Sequence, residues 1–257
     1  MESNEMIGLP INASAHGSQI DMLIFLVHIL MLVLFVGWGI FFIVALIRFN
    51  KSRHPKANYH GVHSHFSSVI EVAVAVVEAL LLVGFSIPFW AKQVNAFPQR
   101  KDTIEVRIVA EQFAWNVHYP GADGTFGKTG IKWMDKQSNP LGLDRKDPHS
   151  KDDFTTINQL YIPIGRPVLI HLTSKDVMHS FGVPLMRVKQ DVIPGMSIPA
   201  WFTPTKTGTY EIVCSQLCGL GHYRMKGFVN VQRPQEYEKW LSEQASPNSS
   251  PGDDFWN

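Results

Sequence analysis

Cysteine is scarce: Cys214 and Cys218 are the only two in 257 residues. A disulfide between them would leave His222 and Met225, which follow at short, regular intervals, without a purpose. Excess charge of either sign is also missing. A net charge of +1 gives no ground for a nucleic-acid partner. There is no Cys-x-x-Cys-His run for covalent haem attachment and no internal repeat. Residues 1–20 lack the basic start, short apolar run and small-residue cleavage site of a secretory signal, so the first apolar segment is expected to be retained.

Apolar residues are plentiful but unevenly spread. Residues 22–47 carry no charge, and His28 alone interrupts the run with an ionisable ring. At about 1.5 Å per residue this segment is long enough for a hydrocarbon core of about 30 Å. A second run, 69–90, is nearly as long but contains Glu71 and Glu78. The pair predicts a transmembrane helical hairpin over residues 21–90. The connecting loop, 48–68, carries Arg48, Lys51, Arg53 and Lys56 and no acid, whereas the segment before the first run has no Lys or Arg. By the positive-inside rule the loop is cytoplasmic and both termini face outward. His54, His60, His63 and His65 are read as solvated loop residues.

Beyond a linker at 91–103, the chain changes character. The stretch 105–109 alternates, and Phe113, Trp115, Val117 and Tyr119 fall on one face of an alternating run. Further short runs separated by Gly, Pro, Asn and Asp predict an antiparallel β-sandwich or barrel over 104–233. Residues 121–154 read as a long surface excursion, 234–244 as a terminal helix and 245–257 as a disordered tail.

The chemistry concentrates in one loop. Cys214, Cys218, His222 and Met225 stand within twelve residues, and His179 is available upstream. Two thiolates, imidazole and thioether form a soft ligand set suited to copper. Structural zinc has little use for Met225. A mononuclear blue-copper site needs one Cys, two His and a weak axial Met, which leaves a thiolate over. Two thiolates bridging two coppers fill four positions. His179, His222, Met225 and a backbone carbonyl of the 214–218 loop fill four more, giving two closed, four-coordinate ions suited to electron transfer.

With these residues in view, the sequence resembles subunit II of the haem–copper oxidases, the cytochrome c oxidase family with a binuclear CuA centre. The two-span hairpin, the aromatic strand, His179-Ser180-Phe181, the stretch from Gln190 to Gly195 and the terminal loop carry the likeness. It implies a cupredoxin-like sandwich on the outer side of a respiratory membrane, expected to be a bacterial inner membrane. It implies copper ligands at His179, Cys214, Cys218, His222 and Met225, with the backbone carbonyl of Gln216. Asp191 would lie towards the catalytic subunit and Glu71 at the mouth of a proton pathway. Three departures stand out. Gln216 replaces a glutamate that helps hold an interface magnesium, and an amide is a weak ligand for that hard cation. Phe113 replaces the tryptophan where electrons arrive, while Trp115 is kept. Glu78 occupies a position that is commonly proline.

The resemblance implies an electron-transfer subunit of a terminal oxidase with no catalytic site of its own. Its partners would be the haem-bearing subunit I, other oxidase subunits, membrane lipid, and a separate cytochrome c or membrane-bound haem donor. Oxygen reduction and proton pumping would occur in the partner. The alternatives are a membrane-anchored copper-binding protein and the CuA subunit of another respiratory reductase. A quinol oxidase subunit would have lost the copper ligands that this chain keeps.

Overall fold

A computed structural model describes residues 8–56, 59–60, 63–135 and 138–244. The expected tail at 245–257 lies outside the described residues. The chain divides into a helical unit, including residues 19–95, and a β unit made of residues 10–18 with everything from 96 onward.

The helical unit consists of α1 (Gly17–Arg48) and α2 (Phe66–Asn95), both long and apolar enough to cross a membrane. Large apolar side chains such as Val33, Phe35, Phe41 and Phe42 are exposed on α1, and the most apolar window of each helix has no buried residue. A helix that is apolar all round and uncovered by protein suits lipid. Within α2, residues Leu82–Ser86 form a π-helical turn, and the Ile87 N–H reaches back to the Leu82 carbonyl. Pro88 gives the reason: it has no N–H for the Gly84 carbonyl and its ring would crowd it, so the backbone widens by one residue there. The helix then runs to Asn95, into the stretch read as linker, and ends ahead of Pro98.

The β unit is a two-sheet sandwich of strands β1 (Ile104–Glu111), β2 (Ala114–Tyr119), β3 (Phe154–Ile157), β4 (Gln159–Pro163), β5 (Val168–Ser174), β6 (His179–Val183), β7 (Val188–Val192), β8 (Ile198–Phe202), β9 (Gly208–Cys214) and β10 (Lys226–Gln232). One sheet runs β3-β2-β1-β5-β8, the other β4-β10-β9-β6-β7. Val106, Ile108, Trp115, Ile170, Leu172, Phe181, Ile212 and Val229 meet between them, all fully buried. Each such side chain contributes roughly 1.5–3 kcal/mol by leaving water.

Two expectations need correction. The sheets are mixed, since β1 pairs in parallel with β5 and β4 with β10. The chain keeps switching sheets, as between β3 and β4, so strands that end up adjacent are often not hairpin neighbours. That switch turns on Asn158, a left-handed residue (φ 57°) whose side-chain oxygen accepts the Trp115 N–H at 2.8 Å. The second correction concerns Phe113, which stands in the turn before β2 and is only partly buried at the edge of the core. Trp115, Val117 and Tyr119 do point inward, but Asn116 and His118 are buried on the opposite face as well. The 121–154 excursion covers them: Phe126 packs on His118 at 5.1 Å between centroids, and Asp153 accepts from His118 at 2.7 Å.

The last helix, α3 (Pro234–Gln244), lays Trp240 on Tyr161 at 4.5 Å. At the other end of the chain, residues 10–15 form a strap on the sandwich. Ala13 is fully buried, donating to the Leu185 carbonyl at 2.8 Å and accepting from Thr205 at 2.9 Å. The Ser14 hydroxyl donates to the Met186 carbonyl at 2.7 Å, and the Arg187 guanidinium to the Pro10 carbonyl at 2.7 Å.

Candidate metal centre

The site is built where β6 and β9 lie side by side, with Phe181 opposite Cys214. His179 opens β6 and Cys214 ends β9, so the sheet register fixes the first two donors. The loop from 215 to 225 then folds back over them. The Ser215 N–H donates to the Ser180 carbonyl at 2.9 Å, and the Cys214 N–H to the Met225 carbonyl at 3.3 Å, closing the base of the loop.

Inside this loop the donors converge. Cys214 Sγ lies 3.8 Å from Cys218 Sγ, 3.9 Å from His179 Nδ1 and 3.2 Å from the Gln216 carbonyl oxygen. Cys218 Sγ lies 3.6 Å from His222 Nδ1 and 3.7 Å from Met225 Sδ. Both thiols are free, and the donor atoms of His179, Cys214 and Cys218 lie within 4.8 Å of one another. His179, Cys218 and Met225 are buried. Burial, and then the neighbouring Cys214, push the Cys218 thiol up to about 11. Two adjacent thiolates in this apolar setting require a cation between them, so the residues present fit a thiophilic metal.

Two residues without an assigned role in the sequence reading support these donors. Burial alone would raise the Asp176 pKa, but hydrogen bonds from His179, Gln112 and Val177 outweigh it and hold the carboxyl below its usual value. Its Oδ1 accepts from His179 Nε2 at 2.9 Å, which leaves Nδ1 aimed at the sulfurs. Gln112 donates its backbone N–H to Asp176 at 2.7 Å and its side-chain amide to the Cys218 carbonyl at 2.6 Å. The Asp-x-x-His spacing was the available signal for Asp176. Gln112 had none, because its two partners lie 64 and 106 residues away.

The ring of Phe113 sits against the loop. A Cβ on Gly221 would lie 2.4 Å from a Phe113 ring carbon, so only glycine allows this approach. Gly219 has a φ of +135°, and a Cβ there would meet the Gln112 amide at 2.6 Å. Trp115 is buried beneath, its ring edge towards His179 and Phe181 at 6.2 and 5.6 Å between centroids. Above, Leu217, Leu220 and Tyr223 project outward, Leu220 at 98% exposure. Asp191 is exposed on β7, opposite Ser180. Glu71 and Glu78 stand on α2, in the other unit, and are exposed.

The family model described as cytochrome C oxidase subunit II, periplasmic domain, matches residues 104–231. The alternative cytochrome c oxidase subunit 2 of Bradyrhizobium diazoefficiens is 35% identical over 207 residues, covering 80% of this chain and 73% of that protein. Cytochrome c oxidase subunit 2 of Cereibacter sphaeroides is 29% identical over 205 residues, covering 74% of this chain and 65% of that protein. Among solved structures, the periplasmic domain of subunit II of cytochrome oxidase of Bradyrhizobium japonicum is 28% identical, with a TM-score of 0.41 over 55% of this chain and 92% of that one. Sequence match, two apolar helices and sandwich agree: the chain belongs to the cytochrome c oxidase subunit II family.

Proposed function

We propose that this chain is the electron-transfer subunit of a respiratory terminal oxidase, taking electrons from a cytochrome c or a membrane-bound haem protein and passing them to haem in the catalytic subunit. The observation that carries this reading is the pair of free thiols 3.8 Å apart with two imidazoles, a thioether and a carbonyl oxygen around them. His179, Cys214, Cys218, His222, Met225 and the Gln216 carbonyl would hold two copper ions. When bound, such a pair supplies one-electron chemistry without an open coordination position. The protein's part is to hold geometry and exclude water. Asp176 fixes the His179 tautomer, Gln112 ties the loop carbonyl, and Phe113 wedges under the loop glycines. A donor set that does not rearrange suits rapid electron exchange. Phe113 and Trp115 flank the centre as the route for electrons. The side chain of Gln216, a neutral amide, is a weak ligand for an interface magnesium.

Loading the full chain with copper and recording metal content and electron paramagnetic resonance tests the assignment. Two coppers per chain sharing one unpaired electron is the expected result. One copper with a mononuclear spectrum in a saturated sample would remove it.

The basic residues of the 48–68 loop support a cytoplasmic loop with the copper domain outside. Glu71 then stands near the inner end of α2, seven residues from Glu78 and so on nearly the same face. An acid within a span is costly unless it meets protein or water. In the assembled oxidase that face packs on the catalytic subunit, with Glu71 at the point of proton uptake. Glu71→Ala is expected to lower turnover at saturating donor by about tenfold. Unchanged turnover would show that Glu71 serves only as an interfacial acid.

A further inference from the structure

A row of bases crosses three strands on the outer face of one sheet: Arg107 of β1 lies opposite His118 of β2 and His171 of β5. Phe126, from the start of the 121–154 excursion, caps all three. Its ring centroid is 4.5 Å from the Arg107 guanidinium carbon, 5.1 Å from the His118 ring and 6.3 Å from the His171 ring. The charges under this cap balance while both histidines are neutral. Asp153 and Arg107 are the charged groups that act on His118, and they offset each other. Further along β1, Glu105 is taken by Arg100 at 2.7 Å and His171 at 3.2 Å, and Glu111 by Lys175 at 2.8 Å. On the excursion, Asp123 pairs with His149 at 2.7 Å, and Asp147 accepts the Lys128 N–H at 3.0 Å.

The side chains of His118 and Asp153 are fully buried. His118 Nε2 donates to Asp153 Oδ2 at 2.7 Å, and the same oxygen accepts the Gly127 N–H at 2.8 Å, so one atom ties the strand to its cover. His118 Nδ1 is buried and has no hydrogen-bond partner among the described residues. The neutral tautomer protonated at Nε2 fits this setting. An imidazolium would put an N–H at Nδ1 with no acceptor, and a second cation beside Arg107 on one carboxylate. Phe126 has no acceptor to offer, so water must reach Nδ1 instead. We propose that residues 121–129 form a proton-released cover, closed on the sheet while His118 is neutral and lifted when the ring takes up a proton. In keeping with this, burial lowers the His118 pKa more than the Asp153 hydrogen bond restores it. Closure is therefore at full strength above the ordinary histidine value of about 6.5 and is lost as pH falls from there towards the closed-state value. The exposed His149 works in the opposite sense, since the Asp123 hydrogen bond raises its pKa. Both members of that pair belong to the excursion, so it does not hold the cover to the sheet.

The test is amide hydrogen exchange on the full chain in uncharged detergent, at pH about 7.5 and about 5, with the intrinsic pH dependence of exchange divided out. Peptides covering 121–129 are compared with peptides from β9 and β10. Wild type is expected to lose about tenfold or more of its protection in 121–129 at the lower pH, within the roughly thirtyfold that one proton allows over this range. Protection in β9 and β10 should stay unchanged. His118→Gln keeps a donor for Asp153 and does not titrate, so its 121–129 protection should be the same at both pH values. A variant carrying His149→Gln and His171→Gln should keep the wild-type response, which decides the question even where His118→Gln does not fold. Protection independent of pH in wild type, a response that survives His118→Gln, or loss of the response in the double variant would each overturn the proposal.

Discussion

Replacing Cys218 with serine is expected to cost the chain its shared-spin copper signal and the oxidase more than about 100-fold in turnover. That exceeds the roughly 10–100-fold typical of losing an outer-shell partner. Cys218 Sγ is the hub of the donor set, within 3.6–3.8 Å of His222, Met225 and Cys214. A hydroxyl is a hard, weakly bridging donor and does not replace a thiolate for copper. The fold should persist, because Ser is close to Cys in size and the loop is closed by backbone bonds from Cys214 and Ser215. Circular dichroism would check that persistence, and metal analysis with paramagnetic resonance would check the centre. A wild-type spectrum from the folded variant would show that Cys218 does not bridge.

Leu220→Asp is expected to slow electron delivery by the native donor by about tenfold or more, the effect of a charge placed in the middle of an apolar contact. Leu217, Leu220 and Tyr223 are 78%, 98% and 87% exposed, all on the loop that carries the candidate donors. Single exposed apolar residues are ordinary, but three on the loop of the proposed copper centre form a surface suited to a partner. Charge offers the donor little guidance. From residue 91 onward there are 19 Lys and Arg against 17 Asp and Glu, and Arg224 and Lys226 are the charged residues nearest this surface in sequence. Steering of a strongly basic cytochrome by an acidic face is therefore weak. The second-order rate should change less than about threefold between low and physiological salt. A steep fall with salt, or an unaltered rate in Leu220→Asp, would move the docking surface elsewhere.

The sequence carried different parts of this molecule with different strength. The spans were legible because an uninterrupted apolar run leaves few alternatives in water. The convergence of the loop's candidate donors was legible because they are close in sequence and of rare type; only His179 had to be brought from 35 residues away, and β6 pairing with β9 does that. What escaped was long-range. Parallel pairing of β1 with β5 leaves no local trace, since period-two alternation is the same in either direction. Asn116 and His118 are polar and would be placed on a solvated face; the excursion that buries them shows no pattern of its own. Phe113 looked like part of an alternating strand because position parity cannot register a turn immediately before β2. Gln112 is an ordinary exposed glutamine until the fold sets Cys218 and Asp176 beside it.

The strap at residues 10–15 has a consequence for how the chain is threaded. Its backbone is hydrogen-bonded to residues 185 and 203–205, and Ala13 belongs to the sandwich core. Yet α1 and α2 both come between that strap and the strands it joins. A polypeptide stitched to itself on one side of a hydrocarbon slab must pass through it an even number of times, whatever the charges of its loops. One helix alone in the bilayer, with the other lying outside, would tear Ala13 out of the core and strand its hydrogen-bonding groups. The stitch thus acts as a parity check on insertion: a half-threaded chain cannot complete its own sandwich.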